Sequence, residues 1–176
     1  WVLAPLNIRL TPVELSRQLA ILGAHWLVSE SLEKDLSVFA DQADLRVLTL
    51  SAIHALPSVH FTPLPLDLER TQAIVFTSGT SGHARGAVLT FGAHFWSALG
   101  SAARLGVLPH DRWLSVLPLY HVGGLSVVFR SCLYGTAINL HAGFNLEAVT
   151  HSLESEPITL ISLAPTMLRR MLVEAG

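Results

Sequence analysis

Short β-prone runs alternating with amphipathic stretches of helical length constrain this 176-residue chain more than any other feature. Thr11-Pro12-Val13-Glu14 has the spacing of a capping box, with a hydroxyl at the N-cap, proline at the first helical position and glutamate three residues on. The helix it opens should run to about Leu22, with Gly23 as its stop. His25 to Val28 is a short apolar run, Ser31 to Ala40 reads as a second helix and Arg46 to Leu50 as a second strand. From His54 to Arg70 the pattern lapses, because Pro57, Pro63 and Pro65 deny a continuous element. Ala73 to Phe76 is then a compact β-prone run ending abruptly in a Gly, Ser and Thr cluster. Phe91 to about Leu105 has helical spacing with Gly106 as the stop, Leu114 to Leu117 reads as a strand, and Gly124 to Tyr134 as an apolar helix ended by Gly135. Thr136 to Leu140 is another strand, Asn145 caps a helix through about Leu153, Ile158 to Leu163 is an apolar strand, and Pro165 starts a last helix. This order predicts an α/β fold of βα units, its parallel sheet covered by helices on both faces. The expected organisation is a first α/β subunit over 1–53, a Pro-rich linker over 54–72 and a second α/β subunit over 73–176.

Hydrophobic residues make up 51% and charged residues 14% of the chain, against about 25% charged in an average soluble domain, which excludes a disordered tail. With 11 Lys and Arg against 13 Asp and Glu, the net charge is −2, so the basic excess needed for a nucleic-acid partner is missing. The mean hydropathy of +0.49 raises the question of a membrane. Trp113 to Phe129 is interrupted by Pro118, Tyr120, His121 and Gly123-Gly124, and Ala87 to Ala103 by His94 and two glycines, so neither supplies the roughly 20 apolar residues of a span. No basic segment followed by a short apolar block opens the chain, which argues against a signal peptide. The first residue is Trp1 rather than Met. With the low charge, this suggests a piece of a longer chain whose remainder would be a partner covering its apolar faces. A single cysteine, Cys132, permits neither an internal disulfide nor a thiolate cluster, which points to the cytoplasm. Cys132 and Trp26, Trp96 and Trp113 read as packing residues.

The strongest local signal is Thr77-Ser78-Gly79-Thr80-Ser81-Gly82-His83-Ala84-Arg85-Gly86, directly after a predicted strand. Its glycines let the backbone approach a ligand closely, successive amides can form an anion-binding concavity, four hydroxyls add donors, and Arg85 supplies charge. That inventory suits a polyphosphate. The segment has neither the Gly-Lys-Ser/Thr of a Walker loop nor a G-x-G-x-x-G. A surface hairpin built from ordinary turn formers is the alternative.

Thr77 to Gly86 resembles the phosphate loop of the adenylate-forming enzymes, the acyl-CoA synthetases, luciferases and peptide-synthetase adenylation domains, written T-S-G-T-T-G-x-P-K-G. Ala84 stands where that pattern has proline, and Arg85 where it has lysine. Leu117-Pro118-Leu119-Tyr120-His121-Val122-Gly123-Gly124 resembles the family's acyl-pocket motif, Pro5 to Leu10 followed by Thr11 to Leu15 its P-L-N-x-R-L segment, and Ser162 to Leu168 its S-L-V-P-T-M-L turn. Within the family, Pro118 to Leu125 with Arg130-Ser131 and Tyr134-Gly135-Thr136 looks most like the o-succinylbenzoate-CoA ligases of menaquinone biosynthesis.

The resemblance implies a partial N-terminal domain of the adenylate-forming fold and a two-step reaction using ATP, Mg2+, coenzyme A and a small-molecule carboxylic acid. Thr77, Ser78, Gly79, Thr80, Ser81, Gly82, Arg85 and Gly86 would bind the ATP phosphates, with Thr80 near the magnesium ion and Arg85 countering the leaving pyrophosphate. His121, with Gly123 and Gly124, would meet the acyl substrate, since an imidazole that donates suits one of the two carboxylates of o-succinylbenzoate. Without the motif, His121 is a histidine at a helix start. Arg130, alone on an apolar helix, fits either a substrate carboxylate or a packing role; the other eight histidines receive none. The family's catalytic Lys and Glu are not among these residues, so the 176 residues alone are expected to make neither adenylate nor thioester. A ligase for fatty or aryl acids, and a non-catalytic module that binds a protein or membrane through its apolar surface, remain as alternatives, and a homo-oligomer remains open.

Overall fold

The computed structural model describes residues 1–30, 44–60, 62, 65–77 and 84–174, and the chain divides into two compact units, 6–65 and 1–5 with 66–176. The helix expected over 31–40 lies outside the described residues.

In the first unit, α1 (Pro12–Leu22) starts from the capping box that the sequence anticipates: the Glu14 amide donates to Thr11 Oγ1, and the Thr11 amide donates to Glu14 Oε2 at 2.8 Å. Gly23, at φ 57°, ends it in the left-handed conformation that glycine adopts without strain. Two parallel strands follow, β1 (Trp26–Ser29) and β2 (Arg46–Thr49), with Trp26 opposite Arg46. The run expected to continue as strand to Leu50 turns into a helix there. Thr49 caps α2 (Leu50–His54) by accepting the Ala52 amide at 3.1 Å, a side-chain bond that ends the ladder.

The second unit opens with β3 (Thr71–Thr77), longer than the expected 73–76, and β4 (Arg85–Thr90), which the sequence reading did not assign. They pair antiparallel from Thr71 opposite Thr90 to Thr77 opposite Arg85, so this hairpin adds an antiparallel pair to the expected α/β arrangement. Leu3 adds a parallel bridge on the other edge of β3, donating to Gln72 O and accepting from the Ile74 amide. Thr90 caps α3 (Phe91–Leu105), accepting the Ala93 amide at 3.0 Å, and Gly106 ends it as expected.

A three-stranded parallel sheet completes the unit, in the order β6 (Ala137–Leu140), β5 (Arg112–Ser115), β7 (Leu160–Ser162). α4 (Val122–Tyr134) connects β5 to β6, α5 (Leu146–Ser155) connects β6 to β7, and α6 (Pro165–Glu174) follows. Side chains alternate along β5, and the two faces carry different helices. Trp113 lies beneath the Arg130 guanidinium of α4, at 5.8 Å, whereas Leu114 clusters with Val149 of α5 and, more peripherally, Met167 and Met171 of α6. Helices therefore cover both faces of this sheet, as the alternation requires. Strand β5 sits two residues earlier than expected because its ladder ends at Ser115, and β7 is trimmed to the three residues that pair with it.

Two devices fix this sheet. At its N-terminal edge, Asp111 accepts the Leu108 amide through Oδ2 and the Thr159 hydroxyl through Oδ1, both at 2.8 Å, while Thr159 Oγ1 accepts the Arg112 amide at 3.1 Å. At the other edge, the chain leaves β5 through Val116 to Tyr120 and enters α4 two residues before the expected Gly124. A Cβ on Gly124 would fall 2.5 Å from the Leu117 carbonyl oxygen and closer still to that of Pro118, so only glycine lets the helix lie against this turn.

A second core cluster joins Ala73 and Val75 of β3 to Leu125 of α4, with Leu89 and Phe129 packed against it. His94 of α3 stacks on Phe129 at 4.1 Å between centroids, and burial pushes its imidazole below the usual range, favouring the neutral ring. Trp113 is buried as expected, but three packing expectations are corrected. Trp26 is 41% exposed at the start of β1, with the Arg46 guanidinium 5.3 Å from its ring. Cys132 is exposed, because the buried stripe of α4 runs through Gly124 to Val127 and Ser131, and the next residue turns outward. Trp96 is 62% exposed, on the face of α3 opposite the buried Gly92, His94 and Ala98. No described helix is long and apolar enough to cross a membrane.

Gly124→Ala should lower stability by about 1–3 kcal/mol, the cost of forcing a methyl group into a filled site. Gly123→Ala should be close to neutral, since its Cβ meets only the mobile Leu117 Cδ1 at 3.3 Å; thermal unfolding of both variants checks the contrast. The Leu108 amide, the Thr159 hydroxyl and nearby His110 hold the Asp111 carboxyl below its usual value. This stabilisation is complete above the unfolded-state value near 3.8 and is lost as pH falls through the lower folded-state value. Asp111→Asn should therefore reduce stability at pH 7 and flatten the loss of stability below about pH 4 in acid-unfolding titrations.

Candidate functional site

The decapeptide expected to bind phosphate is strung between the facing ends of a hairpin. Thr77 is the last residue of β3, Arg85 the first of β4, and the two are register partners. Of the sequence-predicted phosphate residues, Ser78, Gly79, Thr80, Ser81 and Gly82 lie outside the described residues, as does the proposed magnesium contact at Thr80. Thr77 Oγ1 donates to the Arg85 carbonyl oxygen at 3.3 Å, and the Arg85 residue is exposed. Gly86 faces Phe76, and a Cβ there would fall 2.8 Å from Ile74 Cγ2, so the glycine is required by close packing across the hairpin. The pairing of Thr77 with Arg85 is compatible with either reading, a surface hairpin or a ligand-cradling loop.

His121 is the N-cap residue of α4, with extended backbone angles of φ −107° and ψ 144°. Its carbonyl accepts the Gly124 and Leu125 amides at 3.1 and 3.0 Å, and its own amide donates to Pro118 O at 3.1 Å. Its imidazole makes no capping bond; it is exposed and lies 4.7 Å from the Tyr120 ring. The ring is therefore free to meet a ligand. The first-turn amides of Val122 and Gly123 have no intrahelical acceptors, and the positive end of the α4 dipole lies at the same place. Gly123 stays exposed while Gly124 is buried in the turn, so the two glycines of the motif do different work.

The phosphate hairpin and the helix that His121 caps belong to one packed assembly, because Val75 of β3 and Leu125 of α4 share a core cluster. Arg130 is tied to its neighbours: Nη2 donates to Ser97 Oγ of α3 at 3.2 Å, the guanidinium lies over Trp113, and Nε is buried without a partner among the described residues. Sequence reasoning missed Ser97, His94 and Trp113 as the groups that surround this helix. Only the spacing of His94, Ser97 and Ala98 on α3 hinted at an inward face. The loop after β6 borders an open depression of about 540 Å³ lined by His141 to Asn145 and Ala148, with His141 Nε2 3.1 Å from Ser152 Oγ. Among the described residues no cluster of three or more His, Cys, Asp or Glu could hold a metal ion.

Comparison with known proteins accords with this geometry. Residues 1–176 match the family model of the AMP-binding enzyme. The chain is 39% identical over 171 residues to the 2-succinylbenzoate–CoA ligase of Geobacillus kaustophilus, covering 97% of this chain and 34% of that protein. It superposes on the o-succinylbenzoate coenzyme A synthetase of Bacillus subtilis in complex with AMP with a TM-score of 0.87 and 32% identity, over 97% of this chain and 44% of the other. The same enzyme in complex with ATP and a magnesium ion gives a TM-score of 0.87 and 32% identity, over 96% and 35%. The chain thus spans about a third of the length of the curated relatives it matches. Its α/β architecture is theirs, over nearly every residue it has. With the family model matched over residues 1–176, the chain belongs to the AMP-binding enzyme family.

Proposed function

We propose that this chain supplies the phosphate loop and part of the acyl pocket of an ATP-dependent, AMP-forming o-succinylbenzoate–CoA ligase acting in the cytoplasm in menaquinone biosynthesis. The observation that carries the proposal is the pairing of Thr77 with Arg85, which brings the two described ends of the Thr77 to Gly86 motif together in a chain so similar to the Geobacillus kaustophilus ligase.

In the first step a carboxylate oxygen of the acid attacks the α-phosphorus of ATP. A mixed anhydride forms, the bond to the bridging oxygen breaks, and pyrophosphate leaves. In the second, the sulfur of coenzyme A attacks the acyl carbon, the thioester forms and AMP departs. The work of this chain is positioning and charge neutralisation. The loop amides and the hydroxyls of Ser78, Thr80 and Ser81 donate to β- and γ-phosphate oxygens, and Arg85 faces the charge that accumulates on pyrophosphate. Magnesium, when bound with the nucleotide, screens the phosphate charge, and Thr80 would give it one oxygen. His121 donates to a substrate carboxylate, aided by the free amides and dipole at the start of α4. The same sites would bind small molecules only, since the net charge of −2 gives no basic field for nucleic acid.

The product of the complete gene should form pyrophosphate and acyl-CoA from o-succinylbenzoate, and do so poorly with fatty acids and simple benzoates in a coupled pyrophosphate assay. Activity with those other acids alone would overturn the substrate assignment. Arg85→Ala should reduce kcat/KM for ATP about ten- to hundredfold, the scale of a lost charge-assisted hydrogen bond, with Arg85→Lys recovering much of it. Unchanged ATP use in Arg85→Ala would overturn the role given to the hairpin.

A further inference from the structure

One bond at the base of the phosphate loop joins two residues of the motif to each other. Thr77 Oγ1 donates to the main-chain oxygen of Arg85, the residue directly opposite it. The donor is the first hydroxyl of the motif, and the acceptor belongs to the residue whose guanidinium is assigned to pyrophosphate. One step further down the ladder, Gly86 pairs with Phe76, and a Cβ there would fall 2.8 Å from Ile74 Cγ2, so the next rung tolerates no side chain at this position. The Thr77 to Arg85 pair is consequently the last fixed rung before the loop, and terminal rungs of a ladder open most readily.

Resting on the function proposed above, we infer that Thr77 is a positioning residue: its hydroxyl clasps the hairpin and sets where Arg85 leaves the sheet, and it is not itself a phosphate ligand. A hydroxyl committed to a carbonyl has spent its one proton. A loop whose ends are already fixed loses less freedom when ATP arrives, so the clasp acts on nucleotide affinity more than on the chemical step. Threonine suits both demands, because its β-branched side chain favours the strand while its hydroxyl reaches across. Valine keeps that shape and removes the bond.

The bond has a direct readout, because the carbonyl it engages belongs to the Arg85–Gly86 peptide, a site for trypsin on an exposed residue. In the complete gene product without nucleotide, Thr77→Val should speed cleavage after Arg85 about two- to tenfold, the range for one modest hydrogen bond, with the peptide quantified by mass spectrometry. Thr77→Ser should restore slow cleavage. Thr77→Val should also raise KM for ATP by a similar factor, leaving the KM for the acid unchanged. If Thr77→Val is cleaved at the wild-type rate, the clasp is wrong; a raised KM for ATP with unchanged cleavage would make Thr77 a direct phosphate ligand instead. Should the wild-type protein consume no ATP with the acid, the proposed function falls while the cleavage rates still decide the clasp.

Discussion

Strand β5 is closed on every side, and the second unit of the chain depends on that. It pairs with β6 along one edge and β7 along the other. Trp113 is 4% exposed, and Leu114 and Ser115 are fully buried, as is Val116 beyond them. A four-residue strand buried in this way has no tolerance for register error, since a slip of one residue would exchange the Trp113 and Leu114 faces. The burial fixes where the chain emerges at Leu117 and Pro118, and the missing side chain of Gly124 lets α4 turn back against those carbonyls. The place of His121 is thus a consequence of packing several residues away. The turn sets the backbone of this N-cap residue, and the Tyr120 ring lies 4.7 Å from its imidazole.

The phosphate hairpin is built on a different principle. The parallel sheet grips β5 by burial, whereas β3 and β4 hold the loop between two facing ends, with Gly86 seated on Ile74 and Leu3 bridging the far edge of β3. The two constructions meet where Ala73 and Val75 pack on Leu125. One side of α4 therefore packs against the β3–β4 hairpin, and its start carries His121. Replacement of the family's lysine by Arg85 substitutes a planar fork for a point charge, a form that matches phosphate oxygens two at a time.

Much of this was legible in the residues. Capping chemistry located α1 and α5 within a residue or two, because Thr11 and Asn145 each satisfy an amide that helical geometry leaves free, and helical spacing located α3. Gly23, Gly106 and Gly135 marked the helix ends for the complementary reason. The misses share a cause. Strand β4 begins inside a Gly-rich cluster, and its pairing with β3 is a tertiary fact that Arg85-Gly86-Ala87 does not announce. Helix α2 begins at Leu50, where the strand was expected to end, and ends at His54, before the proline-rich stretch, held by one Thr49 cap. Exposure of Cys132 and Trp96 escaped notice because apolar residues surround both in sequence, and only the rotation of each helix decides which way they face. At the candidate site the motifs supplied the expected residues, whereas the hydrogen bond between Thr77 and Arg85 and the close approach at Gly124 required three dimensions.

The most direct test of the account is a crystal structure of the complete gene product with ATP and magnesium. The account predicts the β- and γ-phosphates inside the hairpin loop, the Arg85 guanidinium within hydrogen-bond distance of their oxygens, and the His121 ring facing the space beside the α-phosphate. A triphosphate bound away from that loop, with Arg85 turned to solvent, would contradict it.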